Sequence, residues 1–468
     1  MKQAALKSSE RWALGSLCLS ILLAALGTSI ANVALPTLAQ AFQAPFQAVQ
    51  WVVLAYLLAI TSLIVGVGWL GDFLGRRRLL LAGMLLFTVA SLLCALSPTL
   101  WLLIAARALQ GLGAAIMMAL TIAFVSEIVP KAKAGSAIGL LGTMSAIGTA
   151  LGPSLGGILI AEGGWRAIFL VSVPVGGLTL LLAYCTLPAT PRQPQAGKFD
   201  ALGILVLALT LVAYALAMTL GQGHFDVWNG GLLLAACGGF WLFLRIEARA
   251  ASPILPQSLL RDPARCAGFI ANGLVSTVMM ATLIVGPFYL SQALGLSETG
   301  VGAVLTLGPL LSALSGFPAG RLVDRLGAAA ATRIGLGLML VGAVALALLP
   351  VPFGVIGYSA AIVLLTPGYQ LFQAANTMGI MAEVPADQRG VTSGILTLSR
   401  NLGLITGASV MGATFAFTAQ TFGQSVALPE AVTLGMQVTF LLAAGLIVAA
   451  LRLHLAPFRR AQSPGPQP

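Results

Sequence analysis

Apolar residues in this chain run on in long blocks, without the three-and-four spacing of an amphipathic helix or the alternation of a half-buried strand. A helix needs roughly 20 such residues to cross the hydrocarbon of a bilayer. Fourteen stretches meet that length: 12–34, 47–69, 79–97, 99–121, 136–160, 165–187, 200–221, 229–247, 266–292, 298–320, 331–349, 353–381, 391–416 and 432–454. The fold class this predicts is all-α integral membrane. Lys2, Lys7 and Arg11 precede the first stretch as they would a signal peptide, but the apolar run is too long for one and reads as a helix. Beyond Pro457 the sequence turns rich in Pro, Gln and Ser, and a disordered tail is expected over 457–468.

The polar positions between the runs set the orientation. With both termini cytoplasmic, the inner segments hold 21 of the 24 Lys and Arg, among them Arg76–Arg78, Lys131, Lys133, Arg321 and Arg325. Arg166 is the one outer-loop cation, and Arg107 and Arg400 fall inside spans. One helix more or fewer would scramble this alternation, so the bias supports the count of fourteen. The net charge of +11 is thereby a topology signal and does not call for nucleic acid. At 58% hydrophobic and 8% charged, the composition excludes a soluble domain, which carries about 25% charged residues. Five scattered cysteines, with no CxxC, argue against a disulfide framework or a metal site.

The chain also repeats itself. Val129-Pro130, Gly135, Gly139, Gly148 and Gly152 return 255 residues later as Val384-Pro385, Gly390, Gly394, Gly403 and Gly407. Gly68, Leu70, Asp72 and Gly75 return after 252 residues as Gly320, Leu322, Asp324 and Gly327. Two echoes at nearly equal offset predict two parallel, pseudo-symmetric helical bundles with a cargo cleft between them. The domains expected are a first six-helix bundle at 1–190, an inserted helix pair with its linker at 191–262, a second bundle at 263–456, and the tail.

Three stretches carry a more specific signal. Gly68-Trp-Leu-Gly-Asp-Phe-Leu-Gly75 runs into Arg76, Arg77 and Arg78 at a helix-end hairpin, where a carboxylate beside a basic cluster forms charge-assisted bonds. Leu103-Ile-Ala-Ala-Arg-Ala-Leu-Gln-Gly-Leu-Gly113 places a guanidinium inside a span, where it faces protein or a wet cavity. Gly148-Thr-Ala-Leu-Gly-Pro-Ser-Leu-Gly-Gly157 sets Gly148, Gly152 and Gly156 on one helix face around Pro153, a close-packing and bendable seam. Its echo carries Ala408 and Met411 in place of Pro153 and Gly156, so the tight seam is expected in the first half alone.

With these motifs in these places, the chain resembles the major facilitator superfamily and, within it, the fourteen-helix drug:proton antiporters. The resemblance implies a 6+2+6 arrangement of 14 transmembrane helices and a gating role for Gly68, Asp72, Gly75, Arg76, Arg77, Gly320, Asp324 and Gly327. It implies proton coupling or recognition of substrate charge for Arg107, and an exporter signature for Gly148, Gly152, Pro153, Gly156 and Gly157. Arg107 and Arg400 also have a structural reading, as arginines bonded to facing carbonyls.

Leu26-Gly-Thr-Ser-Ile-Ala-Asn-Val-Ala-Leu-Pro36 resembles the family's helix 1 signature but holds Gly27 where an aspartate is usual. No predicted span carries Asp, Glu or His in its interior; Asp72, Glu127 and Asp324 sit near inner ends, and His224 and His454 are peripheral. Membrane carboxylates are the ordinary proton relays and cation sites. Any coupling therefore falls to a helix-end acid such as Asp72 or Glu127, or to the substrate's own ionisation. Buried arginines without buried acids suit an anionic or neutral amphiphile.

Positions expected to face cargo are Asn32, Met117, Asn272, Ser276, Tyr369, Gln373 and Asn376, with Met118, Met280 and Gln370 beside them. Interhelical hydrogen bonding and packing explain the same residues. Two enzyme-like strings lack their contexts. Gly66-Val-Gly-Trp-Leu-Gly71 has no βαβ unit, and Gly152-Pro-Ser-Leu-Gly156 lies mid-span with no acid or histidine to complete a triad. The chain reads as no enzyme and needs no cofactor beyond an ion gradient, expected to be protons. It is expected to act as a monomer on a small-molecule substrate in a bacterial inner membrane.

Overall fold

The computed structural model describes residues 8–64, 66–128, 131–188, 201–220, 226–247, 262–382, 384, 389–423 and 426–462. Among these it is helical throughout, with fourteen helices long and apolar enough to cross a membrane. We number them α1 (Ser8–Val33), α2 (Phe46–Leu63), α3 (Arg76–Leu96), α4 (Leu100–Ile128), α5 (Lys131–Gly163) and α6 (Ala167–Thr186). The next pair is α7 (Ala201–Thr219) and α8 (Val227–Glu247). Then come α9 (Pro263–Phe288, prolonged by a π-helical turn Tyr289–Ala293), α10 (Glu298–Leu326), α11 (Ala328–Leu348) and α12 (Pro350–Met381). Last are α13 (Arg389–Thr406, continued through the π turn Gly407–Met411 and Gly412–Gly423) and α14 (Leu428–Gln462).

The apolar runs mark where a helix crosses lipid, not where it stops. The fifth run, expected at 136–160, extends to Lys131–Gly163, and the tenth, expected at 298–320, continues to Leu326. The second goes the other way. It ends at Leu63, and a separate short helix, Val67–Leu74, carries the loop motif, with Gly66, a residue of low helix propensity, at the start of the second piece. Within the expected linker 191–262, residues 191–200, 221–225 and 248–261 lie outside the described residues, as do 463–468; the tail expected to be disordered from 457 is instead helical as far as Gln462, where α14 ends.

Contacts group the chain into two compact units. One holds residues 1–213, 235–243 and 298–306, and the other holds 214–234, 244–297 and 307–468. Within the first, α1 packs on α5 and α6, α3 on α4 and α6, and α2 on α4. Within the second, α9 packs on α13 and α14, and α11 on α12 and α14. The pairings of α1 and α3 repeat with an offset of eight helices in those of α9 and α11, which is the duplication seen as an architecture. The side chains are distributed as lipid requires. Leu85, Leu92, Trp101, Leu181, Leu314 and Phe317 are exposed, while Ser20, Ser91, Arg107, Gln110 and Thr121 are buried.

Candidate functional site

The guanidinium of Arg107, on α4, is 0% exposed. Small residues make that possible. A Cβ on Gly111 would lie 2.6 Å from the Tyr56 carbonyl of α2, and one on Gly113 would lie 2.7 Å from the Phe87 nitrogen of α3. The motif's glycines thus let α4 press against α2 and α3, and the arginine one turn earlier reaches backbone carbonyls of α2 and α1. Arg107 Nε donates to Val52 O (2.9 Å), Nη2 to Gly27 O of α1 (3.0 Å) and Nη1 to Gln110 Oε1 (2.5 Å). The Tyr56 ring covers its carbon at 4.1 Å, with Phe169 at 6.0 Å. Outside this shell, Gln110 donates to Ser91 Oγ (2.8 Å) and Tyr56 to Ala24 O (2.8 Å).

Each acceptor carbonyl has a second lone pair beyond its helical bond, so the cage costs the helices nothing in backbone pairing. A buried charge costs several kcal/mol unless its hydrogens are bonded. Three acceptors and a π face offset that here, and all of them are neutral. The departure noted at position 27 falls on this contact. Gly27 is the residue whose carbonyl holds Arg107, and a Cβ there would sit 3.0 Å from the Tyr56 hydroxyl and 3.4 Å from the Phe87 ring. Sequence reasoning missed Tyr56 and Ser91. Gln110, one turn after Arg107, was visible in the motif's spacing.

Arg400 is different. It was expected to be a second buried cation, and its side chain is exposed. Neighbouring Ser399 donates to Phe269 O, and Gly403 and Gly407 face α9, so the inward stripe of α13 passes one position to the side of Arg400. One residue is about 100° around a helix, enough to turn the guanidinium off that face.

The glycine seam is buried at Gly148, Gly152, Pro153, Gly156 and Gly157. α5 runs through Pro153 as one helix. A Cβ on Gly152 would fall on Ser29 Oγ and lie 2.9 Å from the Ile30 nitrogen; one on Gly156 would lie 2.6 Å from Val33 Cγ1. Ser29 Oγ donates to Gly148 O (3.3 Å), stitching α1 to α5. A second face looks the other way. A Cβ on Gly157 would lie 3.1 Å from Gly302 Cα, and one on Gly302 would lie 2.5 Å from Pro153 O, in the part of α10 that belongs to the same unit. The tight packing is not confined to the first half, as the motif suggested. A Cβ on Gly403 would fall on Gly273 O, and one on Gly407 would lie 2.5 Å from Thr277 O, because backbone contact needs only the two glycines and not the proline.

The two loop motifs take different shapes. Gly75 and Gly327 share a positive φ, 92° and 77°, which only glycine adopts without strain, and each opens the next helix. Arg76 starts α3, and Arg77 Nη2 donates to Tyr184 O (2.6 Å) over the Tyr184 ring. Gly320 and Asp324 lie in the last turns of α10, with Asp324 exposed. Gly68, Asp72 and Glu127 are on helices, but their side chains lie outside the described residues.

The cargo candidates divide. Asn32 (1%), Met117 (1%), Asn272 (2%), Ser276 (0%) and Asn376 (2%) are buried in packing. Asn32 Nδ2 donates to Thr28 O, Asn272 Nδ2 to Leu396 O and Asn376 Nδ2 to Gly268 O, at 3.2, 3.0 and 3.1 Å. Tyr369, Gln370 and Gln373 are half-buried; Gln373 donates to Tyr369 (2.9 Å) and Gln370 to Ser312 of α10 (2.6 Å).

Residues 17–408 match the Major Facilitator Superfamily. The chain belongs to that family. It is 32% identical over 400 residues to the riboflavin transporter RibZ of Clostridioides difficile, covering 86% of this chain and 87% of RibZ. It is 33% identical over 401 residues to the multidrug resistance protein Stp of Mycobacterium tuberculosis, covering 83% of this chain and 72% of Stp. A solved bacterial homologue of the human lysosomal transporter Spinster superposes with a TM-score of 0.73 at 15% identity, over 99% of this chain and all of that one, a likeness of fold. As a major facilitator the chain is a multi-pass membrane transporter of small molecules and not an enzyme.

Proposed function

We propose that this transporter exports amphiphilic small molecules by alternating access, as a monomer in a bacterial inner membrane with both termini in the cytoplasm. It uses an ion gradient, with protons the expected ion, and binds no cofactor and no nucleic acid. The observation that carries the direction is the buried double-faced seam of α5, the stretch that resembles the exporter signature. The name of Stp, a multidrug resistance protein, supports the substrate class. The test is efflux of a dye panel from an efflux-deficient host with and without a protonophore. Accumulation that is lowered by the transporter and restored by the protonophore is the expected result; export that survives collapse of the gradient defeats the coupling.

A second reading concerns substrate charge. Arg107 meets only neutral partners, and Gly27 stands where the resembled family places its acid. That favours neutral or anionic amphiphiles over organic cations, and the name of RibZ points to a neutral ring system. The panel should therefore pair ethidium with riboflavin and a carboxyfluorescein. Stronger export of ethidium than of the other two would reject this reading while leaving export itself intact.

A further inference from the structure

Away from Arg107 and the seam, the second unit holds a cavity of about 250 Å³ where four helix ends meet. α9 and α11 begin there, at Asp262–Gly268 and Ala328–Thr332. α12 and α14 arrive there, at Ala375–Ile380 and His454. All four are ends of membrane-crossing segments, so the cavity lies at a bilayer boundary and not at mid-depth. It is on the side where the arginines cluster: Arg333 and Arg452, on α11 and α14, are exposed close by in sequence.

Among the described residues the walls are mostly alanine and glycine, and the polar groups are few and fixed. Arg265 Nε pairs with Asp262 Oδ2 at 3.0 Å, and Asp262 Oδ1 accepts from the nitrogens of Ala264 (2.9 Å) and Arg265 (3.5 Å). Asn376 Nδ2 donates to Gly268 O (3.1 Å). The glycine is required, because a Cβ on it would lie 3.0 Å from Asn376 Oδ1 and 2.8 Å from Ile380 Cδ1. His454 Nδ1 is buried and makes no hydrogen bond.

The lining sets a guanidinium beside a carboxylate, so a purely anionic ligand would be repelled by Asp262 and a purely cationic one by Arg265. A ligand with both charges meets neither cost. Its phosphate accepts from the Arg265 guanidinium, while an ammonium donates to His454 Nδ1 and Asp262. At a bilayer boundary, with alanine and glycine walls between helices, the source of such a group is lipid, and basic pockets between helix ends are established headgroup seats. We propose that this cavity binds the headgroup of a phosphatidylethanolamine lipid. The inference does not depend on the direction or coupling of transport.

The full-length protein would be purified into detergent after equilibration with vesicles of equal parts phosphatidylethanolamine, phosphatidylglycerol and phosphatidylcholine, and retained lipid read by native mass spectrometry. We expect the ethanolamine lipid to be retained over the other two. Choline has no N–H to give His454, and glycerol has no ammonium. His454→Phe, which keeps an aromatic side chain but has no ring nitrogen, should lower retention roughly tenfold, the loss of one charge-assisted hydrogen bond. Gly379→Leu, which fills the cavity from α12 without touching a charge, should do the same with an unchanged melting temperature. Equal retention of the choline lipid, or retention unchanged in both variants, overturns the proposal. Displacement of the lipid by phosphoethanolamine at comparable concentration overturns the lipid assignment in favour of a soluble zwitterion.

Discussion

The seam between α1 and α5 and the seam between α9 and α13 began as copies and have parted. In each, a hydroxyl on the first helix donates to a glycine carbonyl on the second: Ser29 to Gly148 at 3.3 Å, and Thr277 to Gly403 at 3.0 Å. In each, glycines let backbone meet backbone. They differ one turn further on. α5 continues as an α-helix through Pro153 and offers Gly157 to Gly302, whereas α13 widens into a π turn at Gly407–Met411. Close approach within a bundle is thus the shared inheritance. The second glycine face, where α5 meets Gly302 of α10, belongs to the first seam alone.

Mutations can break that comparison, starting with the largest expected effect. Gly152→Leu should unfold the first bundle, because the new side chain meets Ser29 and the Ile30 backbone nitrogen with no room to turn; overpacking of this kind costs about 3 kcal/mol or more. Loss of a monodisperse peak in detergent would report it, and a normal melting temperature would show that the helices separate freely. Arg107→Ala should come next, at about 2–4 kcal/mol, since it removes three hydrogen bonds and a ring contact. Arg107→Lys should recover little of this, because an ammonium cannot span Val52, Gly27 and Gln110 together; full recovery would mean that charge alone matters there.

Gly302→Ala tests the second face. It should slow transport several-fold while lowering stability by only about 1 kcal/mol, since one added methyl presses on Pro153 O and Gly157 across a contact that α1 does not share. Transport and stability falling in step would make this face mere packing. The smallest effects should be those of Ser29→Ala and Thr277→Val, each near the ~0.6 kcal/mol typical of a hydrogen bond between membrane helices. Thermal melts of the pair would say whether the two stitches are still equivalent.

Much of this was legible along the chain. Span number, repeat and motif positions follow from run length and recurrence, which are one-dimensional. The apolar code located the crossings, yet it did not locate the helix ends, because helices persist into water wherever propensity allows, as α5 and α10 do. Arg107 was visible as an intramembrane cation, and Gly27 as a missing acid. That the two touch was not, since 80 residues separate them and neither motif names the other. Arg400 looked like Arg107 in sequence and lies exposed because a helix turns about 100° per residue, so one position decides which face a side chain takes.

By itself, then, the sequence determined a fourteen-span, twice-repeated membrane transporter, because hydrocarbon thickness and helix rise admit few other readings of such runs. Tertiary structure alone decided which glycine meets which helix, that Arg107 is held by neutral carbonyls, and that four distant helix ends enclose a cavity around His454. Those are contacts between faces. A helix presents its faces according to how it rotates against its neighbours, and that rotation is set by packing across the bundle, which no local stretch of sequence contains.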